Sequence, residues 1–188
     1  MSVSAYIIAG GKSSRMGFDK RKIKIKNSTF IETTIQKAAA VTNHDVTLVG
    51  NNLDEFQNFR VISDYEKDKG PLSGIIAALS DSKSDWILAL AADVPLLNET
   101  DLSKLIDAID PNYEMIGYKS SKGIEPLIAI YSSKLKDLFI DQFDKGELSI
   151  QRIMKKINHK LISPDKENSL FNVNDQNDLH RLKNQGNV

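Results

Sequence analysis

Apolar positions along this chain follow two rhythms. Predominantly apolar runs at residues 3–9, 46–49 and 86–92 have the length of buried strands, and a briefer one lies at 60–62. Between them apolar residues recur every three or four positions, at Phe30, Ile31, Ile35, Ala38 and Ala39, at Leu72, Ile75, Ile76 and Leu79, and at Leu102, Leu105, Ile106 and Ile109. That spacing predicts three helices. The first covers 29–40 with Thr29 and Glu32 as a capping box, the second opens at Gly70-Pro71, and the third is capped by Asn98.

The alternation of charged and apolar residues at 22–26 predicts a short, half-exposed strand. Further along, strands are expected at 113–118 and 127–131, joined by the polar loop 119–123. Helices around 134–143 and 149–157, a strand at 160–162 and a terminal segment at 171–184 complete the chain. Strands alternating with helices imply an α/β fold, a mostly parallel sheet with helices on both faces. With 188 residues, one domain spanning 1–188 is expected. Ligands of such sheets lie beyond the carboxyl ends of the strands. Gly10-Gly11, Gly50-Asn51, Asp64 and Asp93 all follow predicted strands.

Composition narrows the chemistry. Basic and acidic residues balance at 25 each, so no global field draws the protein to nucleic acid or to a membrane surface. The absence of cysteine excludes disulfides, thiolate metal sites and cysteine nucleophiles. No run approaches a membrane span and no signal peptide precedes the first strand, so a cytoplasmic protein is expected. His44, His159 and His180 lack metal-ligand spacing and read as surface residues.

Anion binding is therefore local. After the first strand, Gly10 and Gly11 let the backbone turn sharply, Ser13 and Ser14 add hydroxyls, and Lys12, Arg15, Lys20, Arg21 and Lys22 outnumber Asp19. Such a loop suits a polyphosphate. Neither familiar glycine pattern accounts for it. A Walker loop would need glycine where Tyr6 stands, and the glycines at 10, 11 and 17 miss the dinucleotide spacing. Asp93, ending the most apolar run, can hold a magnesium ion or serve as a turn residue before Val94-Pro95. Lys20 is spaced to cross a triphosphate, and the fork of Arg15 can grip two phosphate oxygens. Asp64 can accept hydrogen bonds from a base or ribose, or act as a turn residue before Tyr65. Ser73 has no His/Asp partner in a nucleophile motif, so its loop is expected to contribute backbone contact.

The thirteen residues from Ile8 to Lys20, Ile-Ala-Gly-Gly-Lys-Ser-Ser-Arg-Met-Gly-Phe-Asp-Lys, resemble the signature of sugar-phosphate and cofactor nucleotidyltransferases. Asp64 followed by Gly70-Pro71-Leu72-Ser73-Gly74, with serine in place of alanine, and Ala92-Asp93-Val94-Pro95 are similar to segments of one family, the molybdenum cofactor guanylyltransferases. Glu125-Pro126-Leu127, residues 146–152, and Phe171-Asn172-Val173-Asn174 followed by Asp178-Leu179 continue the resemblance in order. It implies a three-layer, Rossmann-like nucleotide-diphospho-sugar transferase fold. It also implies transfer of GMP from GTP to the terminal phosphate of molybdopterin (molybdenum cofactor), with release of pyrophosphate and Mg²⁺ as cofactor.

Carried over by position, the resemblance puts Ile8, Ala9, Gly10 and Gly11 at the nucleotide, and Lys20 on its phosphates with Arg15 as a second catalytic cation. Asn51, or Asn52 after a one-residue shift, and Asp64 contact the nucleotide; Asp93 holds magnesium; Asn172 and Asn174 face the acceptor. Transient contact with molybdoenzymes or their chaperones is implied, with no nucleic acid and no membrane partner. Two departures weaken the acceptor half. Ile124-Glu125 precedes Pro126 where the family carries histidine, and Asp175-Gln176 replaces Thr-Pro. The rival readings are a cytidylyltransferase or other NTP transferase acting on molybdopterin or a sugar phosphate, and a non-catalytic GTP-binding relative.

Overall fold

In the computed structural model the described residues are 1–10, 23–25, 28–43, 45–51, 53–56, 58–121 and 123–184. Their centre is a seven-stranded sheet of order β5-β4-β1-β6-β8-β7-β9. Its strands are β1 (Val3–Ile8), β4 (Val46–Val49), β5 (Arg60–Ile62), β6 (Trp86–Ala91), β7 (Met115–Ser120), β8 (Gly123–Ser132) and β9 (His159–Ile162). β2 (Lys24–Ile25) and β3 (Ser28–Thr29) form a separate antiparallel pair. β8 runs antiparallel to both of its neighbours, and every other pairing in the large sheet is parallel. This is the mostly parallel sheet that the alternating pattern predicts.

Both faces of the sheet are buried, which explains why its central strands are mostly apolar. Ala5 and Ile7 of β1 with Trp86, Leu88 and Leu90 of β6 pack under α1 (Phe30–Val41) and α3 (Glu99–Asp107). Tyr6 and Ile8 with Ile87 and Ala89 pack under α2 (Pro71–Asp81), α4 (Lys136–Asp144) and the single turn α5 (Ile150–Ile153). A smaller cluster joins Phe30 to Val173 and Leu182, seating α6 (Gln176–Asn184) against the start of α1.

The predicted caps form. Thr29 accepts from the Glu32 amide while the Glu32 carboxylate accepts from the Thr29 amide, and Asn98 pairs with Asp101 in the same way. Two boundaries move. The expected loop at 119–123 shortens to the tip of a hairpin, because β8 extends back to Gly123. β8 carries Pro126 where its register against β7 breaks between Gly117 and Tyr118, a place that tolerates a missing amide donor. The helix expected over 149–157 is α5 followed by a 3₁₀ turn at Met154–Lys156.

Candidate functional site

Parallel register fixes where the strands end. Ile8 stands level with Val49 on one side and Ala91 on the other, and Val49 is level with Ile62. The residues that follow, Ala9-Gly10, Gly50-Asn51, Ser63-Asp64 and Ala92-Asp93, therefore share one edge of the sheet. The first two segments cross at backbone contact. Ala9 donates its amide to the Val49 carbonyl at 2.8 Å, and Gly50 donates to Ile62 at 2.9 Å. Gly50 has φ +151, and a Cβ there would come within 2.8 Å of the Gly10 nitrogen. Only glycine permits that approach.

The space glycine leaves is filled by Asp64. A Cβ on Gly10 would lie 2.8 Å from Asp64 Oδ2 and 3.1 Å from Oδ1, and one on Gly74 would lie 3.3 Å from Oδ1 and 2.8 Å from Ile8 Cγ2. Asn51 Nδ2 donates to Oδ2 at 2.9 Å. The carboxylate thus sits over the Gly10 backbone with α2 behind it, half-buried. Burial raises its pKa, and the charge of Asp68 adds to the shift. A desolvated carboxylate fixed in this way is a strong acceptor for N–H or O–H groups of a ligand.

Ser73 keeps the Asp64 segment in place. Its hydroxyl accepts from the Glu66 amide at 2.6 Å and donates to the Glu66 carbonyl at 2.7 Å, while Tyr65 donates its amide to the Ser73 carbonyl. The Tyr65 ring meets Phe143 edge-on at 5.6 Å. Ser73 is fully buried at the start of α2, where Gly70 at φ +80 turns the chain and Pro71 begins the helix. The sequence expectation of backbone contact by this loop omitted the hydroxyl clamp. Serine in place of alanine was its visible signal.

Asp93 follows β6 and is 6 % exposed. Its carbonyl accepts from the Val173 amide at 3.0 Å, and Lys37 on α1 donates to the Pro95 carbonyl at 2.9 Å. These contacts hold the turn that carries the carboxylate. Burial lowers the pKa of Lys37 against the opposing charges of Glu99 and Asp101. The Val173 bond also brings Asn172 beside the strand end, where its Oδ1 is buried without a partner among the described residues. Asn174 is exposed, its amide bound to Asp178.

Of the residues singled out from the sequence, Ile8, Ala9, Gly10, Asn51, Asp64, Asp93 and Asn172 thus lie at the same edge. Gly11, Arg15, Lys20 and Asn52 fall outside the described residues. Among the described residues no group of three or more His, Cys, Asp or Glu side chains could hold a metal, and no helix is long and apolar enough to cross a membrane. A single carboxylate such as Asp93 suits a cation that takes its other ligands from phosphates and water.

Residues 5–161 match the family described as MobA-like NTP transferase domain. A probable molybdenum cofactor guanylyltransferase of Flavobacterium johnsoniae is 29% identical over 96% of both chains. One from Clostridium perfringens is 37% identical over 72% of this chain and 68% of its own. Among solved structures, molybdopterin-guanine dinucleotide biosynthesis protein A from Archaeoglobus fulgidus superposes with a TM-score of 0.82 at 22% identity, covering 97% of this chain and 98% of its own. That likeness establishes the shared three-layer, Rossmann-like fold.

Proposed function

The chain belongs to the MobA-like NTP transferase family, and on that premise we propose that it transfers GMP from GTP to the terminal phosphate of molybdopterin, releasing pyrophosphate. The observation that carries the reading is the Asp64 carboxylate, packed over Gly10, held by Asn51 and lying on the same sheet edge as Asp93. Ile8, Ala9 and Gly10 form the floor of the nucleotide site, and Asp64 accepts hydrogen bonds from the base or ribose.

Residues 1–188 act as one nucleotidyltransferase domain, a reading supported by apolar clusters on both faces of a single sheet. Asp93 fits Mg²⁺, which supplies charge neutralisation on the phosphates when bound. The turn held by Lys37 and Val173 fixes the height of Asp93 above the sheet, so the carboxylate would hold the cation without reorganisation. Lys20 and Arg15, with the Gly10-Gly11 amides, oppose the charge that accumulates on the departing pyrophosphate. The acceptor phosphate attacks the α-phosphorus in line, and positioning does most of the catalysis. Asn172 and Asn174 face the acceptor. The product passes in the cytoplasm to molybdoenzymes or their chaperones by transient contact.

Replacing Asp93 by Asn tests this assignment. Pyrophosphate release from GTP and molybdopterin should fall by at least about 10²-fold, with an unchanged circular-dichroism spectrum. Near-normal turnover at saturating Mg²⁺ would remove Asp93 from the mechanism.

A further inference from the structure

A second concavity lies on the acceptor side of this edge. β8 runs antiparallel to β6, so the tip of the β7–β8 hairpin, after Ser120, projects from the same end of the sheet as Asp93. Between this tip and the segment before Asn172 is a cavity of 110 Å³, lined by Ser120, Glu125, Glu167, Leu170 and Phe171 among others. The cavity is partly open to solvent and has room for a small ring system.

Its chemistry is one-sided. Leu170 and Phe171 provide apolar wall, and among the described residues that line the cavity the charged groups are the carboxylates of Glu125 and Glu167. Glu125 Oε1 accepts from the Ser120 hydroxyl at 2.7 Å, which orients the carboxyl group. Its other oxygen has no hydrogen-bond partner among the described residues. Glu167 is held by the Ser121 amide, which joins the two walls. These two carboxylates repel a phosphate, so an acceptor presents its ring here and its phosphate toward the cation that Asp93 would hold. Phe171 is two residues from Val173, whose amide bonds Asp93, and a chain that short spans at most about 7 Å.

Resting on the guanylyltransferase reading, we propose that this cavity binds the pterin ring of the acceptor, with Glu125 as the specificity residue. The 2-amino group and the adjacent ring N–H of a 2-amino-4-oxopteridine form a pair of donors matched to the two oxygens of a carboxylate. Glutamate here stands where the resemblance expects histidine. The departure that weakens the acceptor assignment at the level of sequence becomes the means of recognition.

The test titrates the whole protein with 6-hydroxymethylpterin, read by its own fluorescence, and with lumazine, which carries oxygen in place of the 2-amino group. Glu125→Gln keeps the shape and removes the charge. Pterin should bind the unaltered protein at least tenfold more tightly than lumazine. It should bind the variant roughly tenfold to a hundredfold more weakly, and excess GTP should not displace it. In parallel, KM for molybdopterin should rise at least tenfold in the variant while the Kd for GTP and the melting temperature stay put.

Pterin binding that ignores Glu125, displacement by GTP, or an unchanged KM for molybdopterin would overturn the proposal. Pyrophosphate release by the unaltered protein separates the two readings. Release without dependence on Glu125 sinks the pocket alone. Glu125-dependent pterin binding without release under any condition supports the pocket and sinks the transferase reading.

Discussion

Adding one methyl group at Gly10 tests the packing of the nucleotide site. In Gly10→Ala the new Cβ would lie 2.8 Å from Asp64 Oδ2, whereas ordinary contact begins near 3.4 Å. The carboxylate must retreat about 0.6 Å, which draws the Asn51 bond from 2.9 Å toward about 3.5 Å, the outer limit of a hydrogen bond. Hydrogen bonds to a charged group are worth about 1.5–3 kcal/mol, so GTP should bind roughly tenfold to a hundredfold more weakly by titration calorimetry. Gly10 is exposed and its φ is not in the left-handed region, so the melting temperature should move by no more than about 2 °C. The cause is isolated by a double-mutant cycle. In an Asp64→Ala background the clashing atoms are gone, and Gly10→Ala should cost little further affinity. An equal loss in both backgrounds, or no loss in either, would refute the stacking of Asp64 on Gly10 as the basis of binding.

Burial raises the Asp64 pKa, so its ionised form costs stability above the unfolded pKa of ~3.9, and the cost fades as pH falls through the raised folded value. Asp64→Asn should therefore melt higher than the unaltered protein at pH 7, with the gap closing toward acid, while its GTP affinity drops; a lower melting temperature at pH 7 would contradict the sign. GTP binding by the unaltered protein should weaken on acidification at a higher pH than an ordinary aspartate would show, and calorimetry across pH would detect its absence. Ser73→Ala breaks both bonds to Glu66 and should cost about 1–2 kcal/mol, or roughly 3–6 °C in melting temperature, with a higher KM for GTP. An unshifted KM would mean that the clamp does not position Asp64.

Much of this architecture was legible because two-sided burial writes itself into the chain. β6 is apolar at every position and β1 at all but Ser4, and so they read as strands without alternation. Once these strands are parallel and in order, Asp64 and Asp93 must reach the same edge. Packing between distant segments was not legible. Nothing in the spacing of Gly10, Asn51, Asp64 and Gly74 states that one carboxylate touches all three other residues, since that contact depends on sheet twist and on the entry angle of α2. The Ser73 clamp and the Val173–Asp93 bond are likewise tertiary, and they involve backbone atoms that every residue carries. β8 was underestimated for a local reason, because Pro126 truncates the apparent strand while a register break absorbs it.

The central claim is tested most directly by offering the protein molybdopterin and Mg²⁺ with each of GTP, CTP, ATP and UTP in turn. Pyrophosphate release and the mass of the pterin product would be measured together. The account predicts pyrophosphate with GTP and a product heavier by one GMP unit. Release with CTP alone, or no release with any nucleotide, would contradict it.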